Sequence, residues 1–159
     1  MLHDMLRRIL RNMDLSENEI DESIYDAMLL SVDVAHALHP NKKEKMDITN
    51  MPVMGKGFCI KQACSQSYAT DAQAIAILCQ LCDEKGIPYQ RFVNRSDSRG
   101  GSTLGSIAGT LLPVKTVDIG IPILAMHSAC ELMGVRDMKA LSDCVTAFFC
   151  LLYTSPSPR

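Results

Sequence analysis

The sequence predicts an α/β fold, a layered sheet with flanking helices. Two amphipathic segments, residues 2–13 and 74–82, repeat apolar residues at helical spacing. Three short runs, "GFCIKQAC" (57–64), "PYQRFV" (88–93) and "KTVDIGIP" (115–122), have strand composition. Strand and helix patterns alternate along the chain, as a layered sheet requires.

The elements follow in order. Residues 2, 5, 6, 9, 10 and 13 form one apolar stripe and predict a first helix. Ser16 and Glu19 fit a capping box, which opens a second helix over about 17–28. The apolar run at 28–35 reads equally as a helix end or a buried strand. After the strand at 57–64, Thr70 and Gln73 fit another capping box. The helix it opens is stopped by Gly86 and Pro88. The strand at 88–93 leads into the loop "NRSDSRGGS" (94–102), and a short helix starts near Ser102 or Thr103. The strand at 115–122 is expected to end at its proline, and a last helix covers about 136–150. Residues 1–150 make one domain. The Ser/Pro string in "LLYTSPSPR" (151–159) reads as a non-native tail.

Composition excludes several classes. The 159 residues are 47% hydrophobic and 21% charged, ordinary for a globular domain. A net charge of -2 offers no footprint for nucleic acid, and no apolar run reaches membrane-spanning length. Seven cysteines, odd in number and mostly among apolar neighbours, point to a reducing, cytoplasmic setting. The pair in "CQLC" (79–82) falls on a helix stripe and reads as two small hydrophobes. No G-x-S-x-G elbow is present.

Three stretches carry candidate chemistry. "SVDVAHALHPN" (31–41) presents Asp33, His36 and His39, oxygen and nitrogen donors suited to zinc or another divalent ion. The same letters also describe a merely polar loop. His127 follows an apolar strand, and Glu131 four residues on would orient its imidazole in a helical turn. "RGGSTLG" (99–105) places glycines before a helix start. There, backbone N–H groups hold an oxyanion or carboxylate, or the glycines simply make a tight turn.

Taken together and in order, "SVDVAHALHPN", "GFCIKQACSQSYATD", "RSDSRGGSTLG" and "TVDIGIPILAMHS" resemble the aspartyl aminopeptidase family of zinc metallopeptidases over about residues 20–150. The resemblance implies the C-terminal part of a di-zinc aminopeptidase catalytic domain. It implies two zinc ions per complete site, with Asp33 a ligand of one and His127 of the other. It implies that His36, Lys61 and Tyr68 contact a peptide substrate, through a carbonyl or an acidic first side chain, and that the complete protein is a homo-oligomer. The expected reaction is removal of an N-terminal residue by a metal-activated water. The family's remaining ligands and its general base have no match in residues 1–30, so no catalytic base is expected in this chain. It reads as a C-terminal fragment, inactive alone. The alternative is a non-catalytic α/β module whose glycine-rich loop binds a small carboxylate or a peptide.

Overall fold

The computed structural model describes residues 1–98 and 100–154. Its elements are α1 (Leu2–Asn12), α2 (Glu17–Asp26), β1 (Met28–His36), β2 (Phe58–Gln62), α3 (Ala72–Lys85), β3 (Tyr89–Val93), α4 (Leu104–Leu111), β4 (Lys115–Leu124), β5 (Leu132–Met133) and α5 (Val135–Thr154). The strands form one mixed sheet in the order β1-β4-β2-β3, with β5 added to β4. β1 runs parallel to β4 and β2 parallel to β3, while β4 is antiparallel to β2 and to β5.

Most local expectations hold. Ser16 and Glu19 make both bonds of the capping box: the Ser16 amide donates to the Glu19 carboxylate at 2.8 Å and the Glu19 amide to the Ser16 hydroxyl at 3.4 Å. α2 nevertheless ends at Asp26, and the ambiguous run at 28–35 is strand β1, paired along its length with β4. Gly86 ends α3 in the left-handed conformation, which costs glycine little.

Four expectations are corrected. The N-cap of α3 is Asp71, whose carboxylate accepts from the Ala74 amide at 2.7 Å. Thr70 instead accepts from the Ala63 amide and donates to the Tyr68 carbonyl, closing the 63–70 loop. β4 does not stop at Pro122 but runs on to Leu124. The missing N–H does no harm there. The Ile123 carbonyl faces β1, where it accepts from Ala37, so Pro122 faces the other edge, between the end of the β2 ladder at Gly120 and the start of β5 at Ile123. No helical turn follows β4 directly, since residues 125–130 form turns and bends. Helix α5 continues past 150 to Thr154, and residues 155–159 of the expected tail lie outside the described residues.

Alternation along the strands gives the sheet two unlike faces. One carries Val117, Ile119, Ile121 and Ile123 of β4 with Phe58 and Ile60 of β2. It packs under Ile75, Leu78 and Leu81 of α3 and Leu141, Cys144 and Phe148 of α5. Each large aliphatic or aromatic side chain buried here contributes about 1.5–3 kcal/mol. Cys82 belongs to this core and Cys79 packs against it, as two small hydrophobes on a helix stripe should. On the opposite face, register places Ser31 and Asp33 of β1, Asp118 and Gly120 of β4, Cys59 and Lys61 of β2, and Phe92 of β3. Helix α4 covers one end of this polar face, with Gly105 against Ser31 and Asp118.

Candidate functional site

Asp33 and Lys61 stand on strands that are not neighbours, since β4 lies between them. Asp33 pairs with Gly120 and Lys61 with Asp118. A Cβ built on Gly120 would lie 2.8 Å from the Val34 carbonyl carbon and 3.0 Å from Asp33 Oδ1. Glycine at this position leaves the space through which the two side chains meet. Lys61 Nζ donates to Asp33 Oδ1 and, at 3.2 Å, to the Val34 carbonyl. The lysine side chain is 3% exposed and the aspartate 41%. Desolvation raises the Asp33 pKa; the hydrogen bond and charge of Lys61 oppose it, and the charge of Asp118 adds to it.

The Lys61 ammonium also lies over the Tyr68 ring, 4.9 Å from its centroid, a cation–π contact. Tyr68 is buried against Phe92, with ring centroids 6.1 Å apart, and Phe92 in turn meets His36 at 6.5 Å. Asp33, Lys61, Tyr68 and His36 therefore form one contiguous set. Burial lowers the His36 pKa, and the charges of His127 and Lys61 lower it further. His127 thus stands in electrostatic range of His36, on the turn that leaves β4.

That turn is strained. Ala125 and His127 both adopt left-handed φ, 57° and 67°, a region costing a non-glycine residue of order 1–2 kcal/mol. Glu131 does not orient the imidazole as expected. Its carboxylate accepts from the His127 backbone amide at 2.6 Å and holds the strained turn instead.

The glycine-rich stretch also differs from expectation. Its first residue, Arg99, lies outside the described residues. Gly100 and Gly101 line a cavity of about 450 Å³ together with His36, Tyr68 and Lys45. The N-terminus of α4, however, is engaged within the fold. The Gly105 amide donates to Ser31 and the Ser106 amide to Thr103. Asp118, fully buried, accepts from the Thr103 hydroxyl at 2.6 Å and the Ala69 amide at 2.5 Å. The anion at this helix end is the chain's own carboxylate.

Sequence reasoning missed Asp118, Gly120 and Asn94. The first two carried a signal, a carboxylate and a glycine inside the apolar run "TVDIGIPIL". Asn94 carried none, because its partner Tyr68 lies 26 residues away.

Asp33 and His127 supply suitable donor types for zinc, but among the described residues no three His, Cys, Asp or Glu side chains gather as a metal site. Zinc sites draw three or four protein ligands, so the residues of this chain do not by themselves fit the ion.

Comparison with known proteins bears on what the set is for. The family described as aminopeptidase I zinc metalloprotease (M18) matches residues 1–149. A probable M18 family aminopeptidase 2 of Clostridium novyi is 47% identical over 137 residues, which cover 86% of this chain and 32% of that protein. Among solved structures, one of the Ape4 and Nbr1 complex superposes with a TM-score of 0.88 at 33% identity, over 94% of this chain and 28% of the other. The S. cerevisiae mApe1 dodecamer superposes with a TM-score of 0.68 at 27% identity, over 77% and 26%. The chain spans about a third of the length of the curated relatives it matches.

Proposed function

Because the chain belongs to the aminopeptidase I zinc metalloprotease (M18) family, we propose that it supplies part of the active site of a zinc-dependent aminopeptidase. Asp33 and His127 would be ligands for two different zinc ions, and His36, Lys61 and Tyr68 the peptide-binding residues. The observation that carries this reading is the continuity of Asp33, Lys61 and Tyr68 with His36, joined through the Phe92 ring. Zinc, once bound in a complete site, supplies Lewis-acid chemistry and an activated water.

The chain's own residues have narrower tasks. Lys61 neutralises Asp33 and stiffens Tyr68, so its part in peptide binding is to hold those two groups in place rather than to read a substrate side chain. Among the cations lining the cavity, Arg95 chelates the Asp97 carboxylate, while the Lys45 ammonium has no partner among the described residues. We assign any preference for an acidic N-terminal residue to Lys45. Burial lowers the His36 pKa, which favours the neutral ring, able to donate one hydrogen bond to a peptide group and accept another.

The cellular setting and assembly follow the same reading. The odd number of cysteines, seven, with Cys59, Cys82 and Cys144 buried as small hydrophobes, supports a reducing, cytoplasmic setting. Among the described residues, no helix is long and apolar enough to cross a membrane. A dodecameric structural neighbour supports a homo-oligomeric complete protein.

The second reading, for the chain taken alone, is that it binds peptide or carboxylate without turning it over. One experiment decides between them. The 159-residue chain with added zinc is expected to release no N-terminal residue from peptides. A polypeptide completed with the remaining two thirds of an M18 relative is expected to bind zinc and cleave, and D33A and H127A to lose both. Robust turnover by the chain alone, or full metal content and activity in both variants, would overturn the assignment.

A further inference from the structure

We propose that Asn94 is a positioning residue that makes the Tyr68 hydroxyl a hydrogen-bond donor to an acceptor oxygen, a peptide carbonyl or carboxylate, of a ligand in the cavity beside His36 and Lys45. This rests on the reading that the cavity receives peptide, and it adds a direction to the Tyr68 hydrogen bond.

The geometry is specific. Asn94 directly follows β3, so the sheet fixes its backbone. Its amide Nδ2 donates to the Tyr68 oxygen at 3.0 Å. A phenol carries one proton, so an oxygen that accepts from Asn94 must send that proton elsewhere. Among the described residues the Tyr68 hydroxyl meets no acceptor, whereas Asn94 and Tyr68 both line the cavity. Tyr68 is 7% exposed and its ring is held between Phe92 and the Lys61 ammonium, so it does not swing away to find an acceptor.

Gly100 closes over this pair. A Cβ at position 100 would lie 2.0 Å from Asn94 Nδ2 and 3.2 Å from the Tyr68 oxygen. The first glycine of "GGSTLG" is therefore required by the Asn94–Tyr68 bond passing beneath it. Lys45, which also lines the cavity, favours a carboxylate over a neutral carbonyl as the acceptor.

The test is a binding cycle on the metal-free 159-residue chain in EDTA, titrated with Asp-Ala and Ala-Ala and followed by NMR. Asp-Ala is expected to bind more tightly than Ala-Ala. Y68F is expected to weaken Asp-Ala about tenfold, the value of one net hydrogen bond. N94D, which can only accept, captures the phenol proton and is expected to weaken binding as much or more, whereas N94A costs less. In the Y68F background, N94D retains only its charge repulsion, so its effect shrinks.

A second readout needs no variant that risks the fold: Asp-Ala is expected to shift the Tyr68 Cζ resonance of the unmodified chain. Equal N94D effects in both backgrounds, a Y68F chain that binds like the parent, a Tyr68 Cζ signal that ignores the ligand, or no saturable binding of Asp-Ala at millimolar concentration would each overturn the proposal. None of these measurements involves zinc or turnover. Failure here with an active completed polypeptide removes only the role of Asn94, and success with an inactive one removes only the peptidase reading.

Discussion

Lys61 reaches Asp33 across an intervening strand, and it does so over a glycine. Gly120 lies in register with Asp33, and the lysine comes from the far side of β4. The ion pair is thus a property of three strands at once.

Filling that gap has a cost. G120A places a methyl group against Asp33 Oδ1 and the Val34 backbone, and backbone gives way less readily than a side chain. A loss of about 1–3 kcal/mol in urea unfolding is expected, the usual cost of overpacking.

Breaking the pair from one side is expected to be worse than removing both partners. K61M leaves Asp33 without its counter-charge. Because the carboxylate keeps 41% of its surface accessible, solvent recovers part of the loss, and about 1–2 kcal/mol is expected. D33N/K61M should recover most of it. Urea midpoints of the four proteins measure the coupling, and additive losses would contradict it.

The pH dependence of stability has a sign set by His36. Its folded pKa lies below its unfolded value of about 6.5, so in that window the unfolded chain binds more protons. Stability is therefore expected to fall as pH drops through about 6.5. Above that pH the contribution is flat, since both states are neutral. H36Q should flatten the profile between about pH 7.5 and pH 5.5, read as urea midpoints against pH.

The strained turn after β4 gives a gain-of-stability prediction. A125G relieves a left-handed alanine and is expected to stabilise by up to about 1 kcal/mol, reduced by the greater freedom of glycine in the unfolded chain. E131A removes the acceptor of the His127 amide and is expected to destabilise by about 1 kcal/mol. Thermal unfolding of both variants checks the opposite signs.

Buried thiols provide a final check on the core. Cys82 and Cys144 are fully buried, and Cys59 is buried with its pKa pushed up to about 12 by desolvation. All three are expected to resist a thiol reagent until the chain unfolds, while exposed Cys64 and Cys130 react at once.

By itself the sequence determined the α/β class, the helix starts written in Ser16 and Glu19, the stop at Gly86 and the buried character of "CQLC". All of these depend on residues within a turn or two of one another. It also presented the ordered blocks that identify the family, because residue types survive in order whatever they touch. Only the tertiary structure decided that Lys61 is engaged with Asp33, that Glu131 grips a backbone rather than a ring, that Asp118 occupies the α4 N-terminus and that Gly100 shelters Asn94 and Tyr68. The bonds behind them, Lys61 to Asp33, Asn94 to Tyr68 and Thr103 to Asp118, join residues 28, 26 and 15 positions apart, whereas the Glu131 contact is local. Local periodicity contains no record of strand order, and strand order sets which side chains share the polar face. The Glu131 contact stayed hidden for a different reason: a left-handed turn at Ala125 and His127 has no signature in residues that are not glycine.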